Sequence, residues 1–435
     1  MEHVSLDITI LTIISMILLS KFLNDKFRIP LPHTLIIFSF TIHHFYPGFL
    51  NLSANENFDE TLFLLIPIIL MVDAIHLKWE YIKLHYASMI YLAVIAIILS
   101  IILGAFIGEY IGLLGTTAIS FGLYISLFAI INATDAVSVN SIFAQFKNVG
   151  HDTKVLIESE SLGNDAVTFT ILMLVGIPMS LAVGEFNYST LPLTILYNVT
   201  ASFVIGSIIG YIFYIITMFF EEEKEEFFIM LGVAFASFTL AEVFHFAGIF
   251  SLIVAVILFK TLIDKNIELH SKKLTTDDGQ LTKYKMFQQR ATTKERHHNT
   301  LILAENVAFI GVVILFVAMS EMIHLNTLFE YKIEILIAFA ITTFTRFLTI
   351  GIFSLLSKKL KMFVDLGFSG WLTLSLAGIK GGLSIIMVHA LKMALGSEYA
   401  EIMIKIESIV IGVIILSIFV YGILLLIYML NKKKA

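Results

Sequence analysis

Ten side chains able to carry charge or offer oxygen stand inside stretches otherwise apolar enough for lipid: Asp73, Thr134, Asp135, Glu158, Glu160, Ser161, Asn164, Asp165, Arg346 and Lys380. A charge at bilayer depth costs ~2.5–3.5 kcal/mol for Asp, Lys or Arg even on a lenient insertion scale, so each demands a partner or a task. Spacing groups them. At about 100° per residue, Ser161, Asn164 and Asp165 fall roughly 100°, 40° and 140° round a helix from Glu160, so the four share one face. Glu160 and Asn164 form one stripe of that face, Ser161 and Asp165 the other. The carboxylates Asp73, Asp135, Glu160 and Asp165 outnumber the cations Arg346 and Lys380, which leaves a negative surplus at mid-membrane depth. That surplus suits a visiting positive species.

The elements that must carry these residues are membrane helices. The 435-residue chain is 58% hydrophobic and 14% charged, with a mean hydropathy of +0.91, unlike a soluble globule. Thirteen apolar runs of spanning length follow one another from 5–22 to 402–430, with the third at 61–77, the fifth at 117–145, the sixth at 155–181, the eleventh at 331–356 and the twelfth at 369–391. The boundary near 244 rests only on Phe244, His245 and Phe246. With the N-terminus outside, 23 of the 28 Lys and Arg residues fall on the inner side, which assigns a cytoplasmic C-terminus and a plasma-membrane protein. The first run has no basic residue before it and no small-residue cleavage site, so it reads as a retained helix rather than a signal peptide. One polar segment, 264–299, interrupts the pattern and reads as a solvated, in part helical cytoplasmic loop within a single transmembrane domain of 1–435. The net charge of −6 and the scattered basic residues exclude nucleic acid as a partner. The absence of cysteine excludes disulfides, zinc-thiolate sites and thiol nucleophiles.

Two spans are marked for interruption. Gly378, Gly381 and Gly382 surround Lys380, at about 1 kcal/mol each in a helix interior. Asn132-Ala133-Thr134-Asp135 breaks the fifth span without proline. Spans 5 and 12 occupy matching places in two six-span halves, 1–6 and 8–13, related by inversion. The expected fold is therefore an all-α membrane protein of 13 transmembrane helices, built as two inverted six-helix repeats with broken, crossed helices at spans 5 and 12.

Four motifs carry a resemblance. Ala133-Thr134-Asp135-Ala136-Val137-Ser138-Val139 resembles the "ATDPVAV" signature of monovalent cation/proton antiporters, and Glu158 through Ala166 resembles their "EGESLLNDA". Ala241 through Ile249 is similar to "AE-hydrophobic-LHxSGI". Trp371 with Gly378-Ile379-Lys380-Gly381-Gly382-Leu383-Ser384 is similar to "W…GLRGAxS". Order and spacing cover nearly the whole chain, and Asn164-Asp165 points to the NhaP-type sodium/proton branch, which includes the animal sodium/hydrogen exchangers. The resemblance implies a homodimer of 13-helix protomers exchanging Na+ or Li+ for H+ by an elevator-like, electroneutral displacement that serves pH homeostasis, with no cofactor. It implies Asp165 as the carboxylate shared by cation and proton, and Asp135, Ser161 and Thr134 as further oxygen ligands for Na+. Asp73 stands where the family has an acidic residue near the ion path. Glu160 would pair with Arg346, supported by Asn164 and Lys380. Two residues depart from the motifs: Ala136 replaces the proline and Lys380 the arginine, and a buried lysine can release its proton where arginine cannot.

A hard alkali ion wants such oxygen ligands, and proton and cation would compete for Asp165. K+ in place of Na+ would use the same site. The rival reading is an intramembrane aspartyl protease with Asp135 and Asp165 as its dyad, which would have to share one proton. Zinc proteolysis lacks a His-Glu-x-x-His run, Ser384 and His389 are too far apart for a nucleophile and its base, and a continuous pore ill suits a titratable, self-blocking site. Glu242, His245, Glu305, His389 and Glu407 read as packed or hydrogen-bonded structural residues.

Overall fold

The computed structural model describes residues 2–27, 29–46, 50, 58–77, 79–115, 119–143, 146, 150–182, 187–220, 222–273 and 293–432, and no strand occurs among them. In chain order the helices are α1 (Glu2–Phe27), α2 (Leu31–Phe45), α3 (Phe58–His76), α4 (Trp79–Ile90), α5 (Ala96–Tyr110), α6 (Phe121–Asn132), α7 (Ala136–Phe143), α8 (His151–Ile171) and α9 (Ile177–Leu181). They continue with α10 (Leu191–Thr217), α11 (Glu223–Val243), α12 (Gly248–Lys273), α13 (Lys294–Met322), α14 (Leu325–Glu330), α15 (Lys332–Lys359), α16 (Gly367–Leu376), α17 (Leu383–Leu395) and α18 (Ala400–Lys432). Single π-helical turns, Tyr91–Ile95 and Leu172–Gly176, join α4 to α5 and α8 to α9.

Nine helical stretches among the described residues are long and apolar enough to cross a membrane, and Leu62–His76 and Leu383–Leu395 are shorter apolar helices. The twelfth apolar run yields no single long helix because it is broken between α16 and α17. The second yields only the 15 residues of α2, which starts at the prolines flanking Leu31. At the doubtful boundary near 244 the chain does turn: α11 ends at Val243, His245 takes a positive φ of 57°, and Glu242 Oε1 accepts the Gly248 N–H at 3.0 Å.

The chain forms two compact units. The larger comprises Met1–Phe63, His85–Phe186 and Val312–Ala435. Its centre is α6, apolar on all sides and buried from Gly122 to Asn132. Lipid tails are as apolar as leucine, so helices associate there through close packing and hydrogen bonds rather than hydrophobic burial. Ser384 Oγ on α17 accordingly donates to Ile130 O on α6 at 2.8 Å, and Ser39 on α2 to Ser320 on α13 at 2.5 Å.

The smaller unit comprises Leu64–Leu84 and Asn187–Gly311. Gly206 and Gly210, four residues apart on α10, let its backbone lie against the Ser251 and Ala255 carbonyls of α12; a β-carbon at Gly210 would stand 2.6 Å from Ala255 O. The segment 264–299, read as a loop, is helical at both ends, since α12 runs to Lys273 and α13 starts at Lys294; 274–292 lies outside the described residues. Its charges are not all solvated. Arg296 Nε lies 2.8 Å and His297 Nδ1 2.6 Å from the carboxylate of Glu226, which is 1% exposed, and Arg296 Nη1 donates to Phe220 O at 3.1 Å. The other residues read as structural have such partners too: Glu305 lies 3.1 Å from His76, Glu407 3.8 Å from Lys392, and His389 Nδ1 3.2 Å from Ile385 O.

Candidate cation site

Within the larger unit two interrupted helices meet. α6 stops at Asn132, residues 133–135 are extended or irregular, and α7 restarts at Ala136; α16 stops at Leu376 and α17 restarts at Leu383. The gaps bond directly, the Asp135 N–H donating to Ile379 O at 2.8 Å. Side chains at Gly381 and Gly378 would run into Asp135 and into the Arg346 guanidinium, so the absence of a β-carbon permits this approach.

The break needs no proline. Asp135 caps α7: its Oδ1 accepts the Val137 N–H at 3.0 Å and its Oδ2 the Ser138 hydroxyl, while Ala136 takes the first helical position that a proline would favour. A carboxylate at a helix N-terminus also meets the positive end of the helix dipole. Lys380 supplies the converse, its Nζ 3.4 Å from Asn132 O at the C-terminal end of α6, while its backbone N–H donates to Ser417 Oγ of α18 at 3.0 Å.

α8 lies alongside. Ser161 Oγ donates to Thr134 O at 2.9 Å, and Asn164 Nδ2 donates to Asn132 O at 2.9 Å and Thr134 Oγ1 at 3.0 Å. Asp165 follows on the same face, buried, its backbone carbonyl accepting the Thr168 hydroxyl at 3.2 Å. Glu160 points to α15, where Arg346 grips it through Nη1 to Oε1 at 2.9 Å and Nη2 to Oε2 at 3.0 Å, a parallel fork. The same guanidinium donates to Leu374 O at 3.0 Å and Ser375 O at 3.1 Å, satisfying carbonyls at the end of α16.

Eight of the residues singled out in the sequence thus converge: Thr134, Asp135, Glu160, Ser161, Asn164, Asp165, Arg346 and Lys380. Asp73 is half-buried on α3, which belongs to the smaller unit. Two partners were missed. Ser138 was legible as the third residue after a capping Asp. Ser417, in contrast, carries no signal in local spacing, whereas the Asn132 carbonyl is one of those that a break in the fifth span exposes.

The family model for the transmembrane sodium/hydrogen exchanger matches residues 10–430. The chain belongs to the sodium/hydrogen exchanger family. Among curated relatives, the low-affinity Na+/H+ antiporter NhaS1 of Synechocystis is 24% identical over 82% of this chain and 62% of its own length. The Na+/H+ antiporter ApNhaP of Aphanothece halophytica is 27% identical over 43% of this chain and 35% of its own. The chain therefore spans less than two thirds of the length of these relatives. The fold of this exchanger-family member matches the sodium proton antiporter MjNhaP1 of Methanocaldococcus jannaschii with a TM-score of 0.75, at 15% identity over 98% of both chains.

Proposed function

We propose that this exchanger-family chain is a secondary transporter that exchanges Na+ or Li+ for H+ by alternating access, the two competing for Asp165. The observation that carries the reading is the charge balance of the larger unit's site. Glu160 and Arg346 neutralise each other, and Lys380 in its ammonium form, donating to Asn132 O, offsets one of Asp135 and Asp165. One negative charge remains. Either one Na+ or one proton brings the site to neutrality, which favours one-for-one, electroneutral exchange. An empty site keeps an uncompensated buried charge, so only a loaded site crosses cheaply and no second gate is required. Thr134 O, Ser161 Oγ and the two carboxylates supply oxygens of the kind a hard alkali ion takes.

The interrupted helices support the inverted-repeat, 13-span reading, and the distribution of Lys and Arg supports an outside N-terminus, a cytoplasmic C-terminus and residence in the plasma membrane. A homodimer working by elevator-like displacement, and a task in pH homeostasis, come from the family resemblance. The protease reading is disfavoured because the Asp135 carboxylate is committed to capping α7, accepting the Val137 N–H and the Ser138 hydroxyl, which leaves it poorly placed for a dyad sharing one proton.

Reconstituted in proteoliposomes with an imposed pH difference, the protein is expected to collapse that difference when Na+ or Li+ is added, equally with and without an imposed voltage. A response to K+ alone would reassign the cation, and no response to any alkali ion would sink the reading. The role of Lys380 is separable in the same assay. Lys380→Arg should keep voltage-independent exchange. Lys380→Gln leaves a Na+-loaded site with one excess negative charge, so its rate should fall by about two orders of magnitude, the equivalent of the ~2.5–3.5 kcal/mol that a lone charge costs in the membrane.

A further inference from the structure

The stripe that bears Asp165 continues along α8. Glu158 stands seven residues earlier, two helical turns or about 10 Å away and within roughly 20° of the same direction, with Ser161 between them. Unlike Glu160 it pairs with no arginine among the described residues. Its Oε1 accepts Asn140 Nδ2 of α7 at 3.0 Å and lies 3.7 Å from Lys154 Nζ one turn further along. The Glu158 side chain is 14% exposed and that of Lys154 is 52% exposed, so the carboxylate is held in place while the ammonium is free to leave into water. Asn140 Oδ1 is buried and accepts no hydrogen bond among the described residues. On α7, Val137, Asn140 and Ser141 are the partly exposed positions, at helical spacing. A polar track on α8, Glu158, Ser161 and Asp165, therefore leads from the Asn140 contact to the site.

Among the described residues, an oxygen acceptor without a donor beside a carboxylate whose cation is a largely exposed ammonium 3.7 Å away is an arrangement that an alkali ion completes. We propose that Glu158 and the Asn140 amide oxygen form an outer cation station, held at rest by the Lys154 ammonium, from which the transported ion steps to Asp165. A half-turn of the Asn140 amide brings Oδ1 beside the carboxylate when the ion displaces Lys154. Lys154 is then a built-in competitor, which sets how much Na+ is needed at that face. The positive-inside assignment makes that face cytoplasmic. The inference rests on the exchange reading of the Asp165 site.

The test is the Na+ dependence of proton flux measured from each face in proteoliposomes. A single cysteine at Lys361 in this cysteine-free chain, labelled with an impermeant maleimide, reports orientation. Glu158→Gln should raise the KM for Na+ about 3- to 10-fold at the face of α8's N-terminal end and leave Vmax and the opposite face unchanged. Lys154→Gln, at an exposed position that tolerates change, should lower the same KM about 2- to 3-fold. Opposite signs are what a competitor requires. If both variants move KM the same way, act equally from both faces, or alter only Vmax, Glu158 merely staples α7 to α8 and the station does not exist. A wild-type protein with no Na+-driven flux would instead bring down the exchange reading, and this inference with it.

Discussion

Replacing Asp165 with asparagine is expected to reduce Na+-driven proton flux to that of protein-free liposomes while the protein still folds and extracts from the membrane normally. The substitution keeps the shape of a buried side chain on α8 and leaves Ser161 and Asn164 free to keep their bonds to Thr134 and Asn132. What it removes is the group that can hold either a proton or a cation charge. It also removes the negative charge left over in the site, so an empty core would cross as readily as a loaded one and coupling would have no physical basis. Calorimetry supplies an independent readout. Na+ binding to the wild type should release about one proton into buffer for each ion bound, because both compete for one carboxylate. In the Asp165→Asn variant binding should weaken and proton release vanish. Retained exchange would move the shared role to Asp135. Independent, simultaneous binding of Na+ and H+ in the wild type would remove competition altogether.

Much of this site was legible because its residues break local rules. Asp135, Asp165, Arg346 and Lys380 are charges where hydropathy predicts none, and the glycines around Lys380 are out of place in a helix. Ala136, standing where the family motif has proline, does not soften the break, because Asp135 and Ser138 supply the capping of α7. Other features were hidden for reasons that follow from how patterns encode burial. The run Glu222-Glu223-Lys224-Glu225-Glu226 looks like a solvated charge cluster, yet Glu226 turns inward to Arg296 and His297, seventy residues away, because α11 starts earlier than its apolar run. Composition cannot say which member of a charged run is buried; only the partner's position can. Likewise Ser417 reaches the Lys380 backbone from an apolar helix in which a serine carries no special signal. Breaks and isolated charges are local properties, whereas the second partner of each bond is set by topology.

The Glu160–Arg346 fork makes the second large prediction, one of stability rather than transport. Both side chains are nearly enclosed, 3% and 5% exposed. Removing one partner of such a pair strands the other, at about 3–5 kcal/mol, whereas neutralising both together is far milder. The two single variants should differ. Glu160→Gln leaves the guanidinium bonded to the Leu374 and Ser375 carbonyls, so its charge keeps two acceptors. Arg346→Gln strands a carboxylate and also uncovers those carbonyls at the end of α16, leaving buried acceptors with fewer donors. The melting temperature in detergent should therefore fall most for Arg346→Gln, less for Glu160→Gln, and least for the double variant, with a favourable coupling of about 2–3 kcal/mol in the cycle. Additive losses would mean that the two charges do not depend on each other. The order of the single variants carries a separate consequence: if Glu160→Gln were the worse, the α16 carbonyls would not depend on Arg346, and the break that positions Lys380 would need another support. The double variant also separates scaffold from chemistry, because the site's net charge is the same with the pair present or neutralised. A double variant that folds but has lost Na+ exchange would show that the fork does more than hold α8 to α15 and α16.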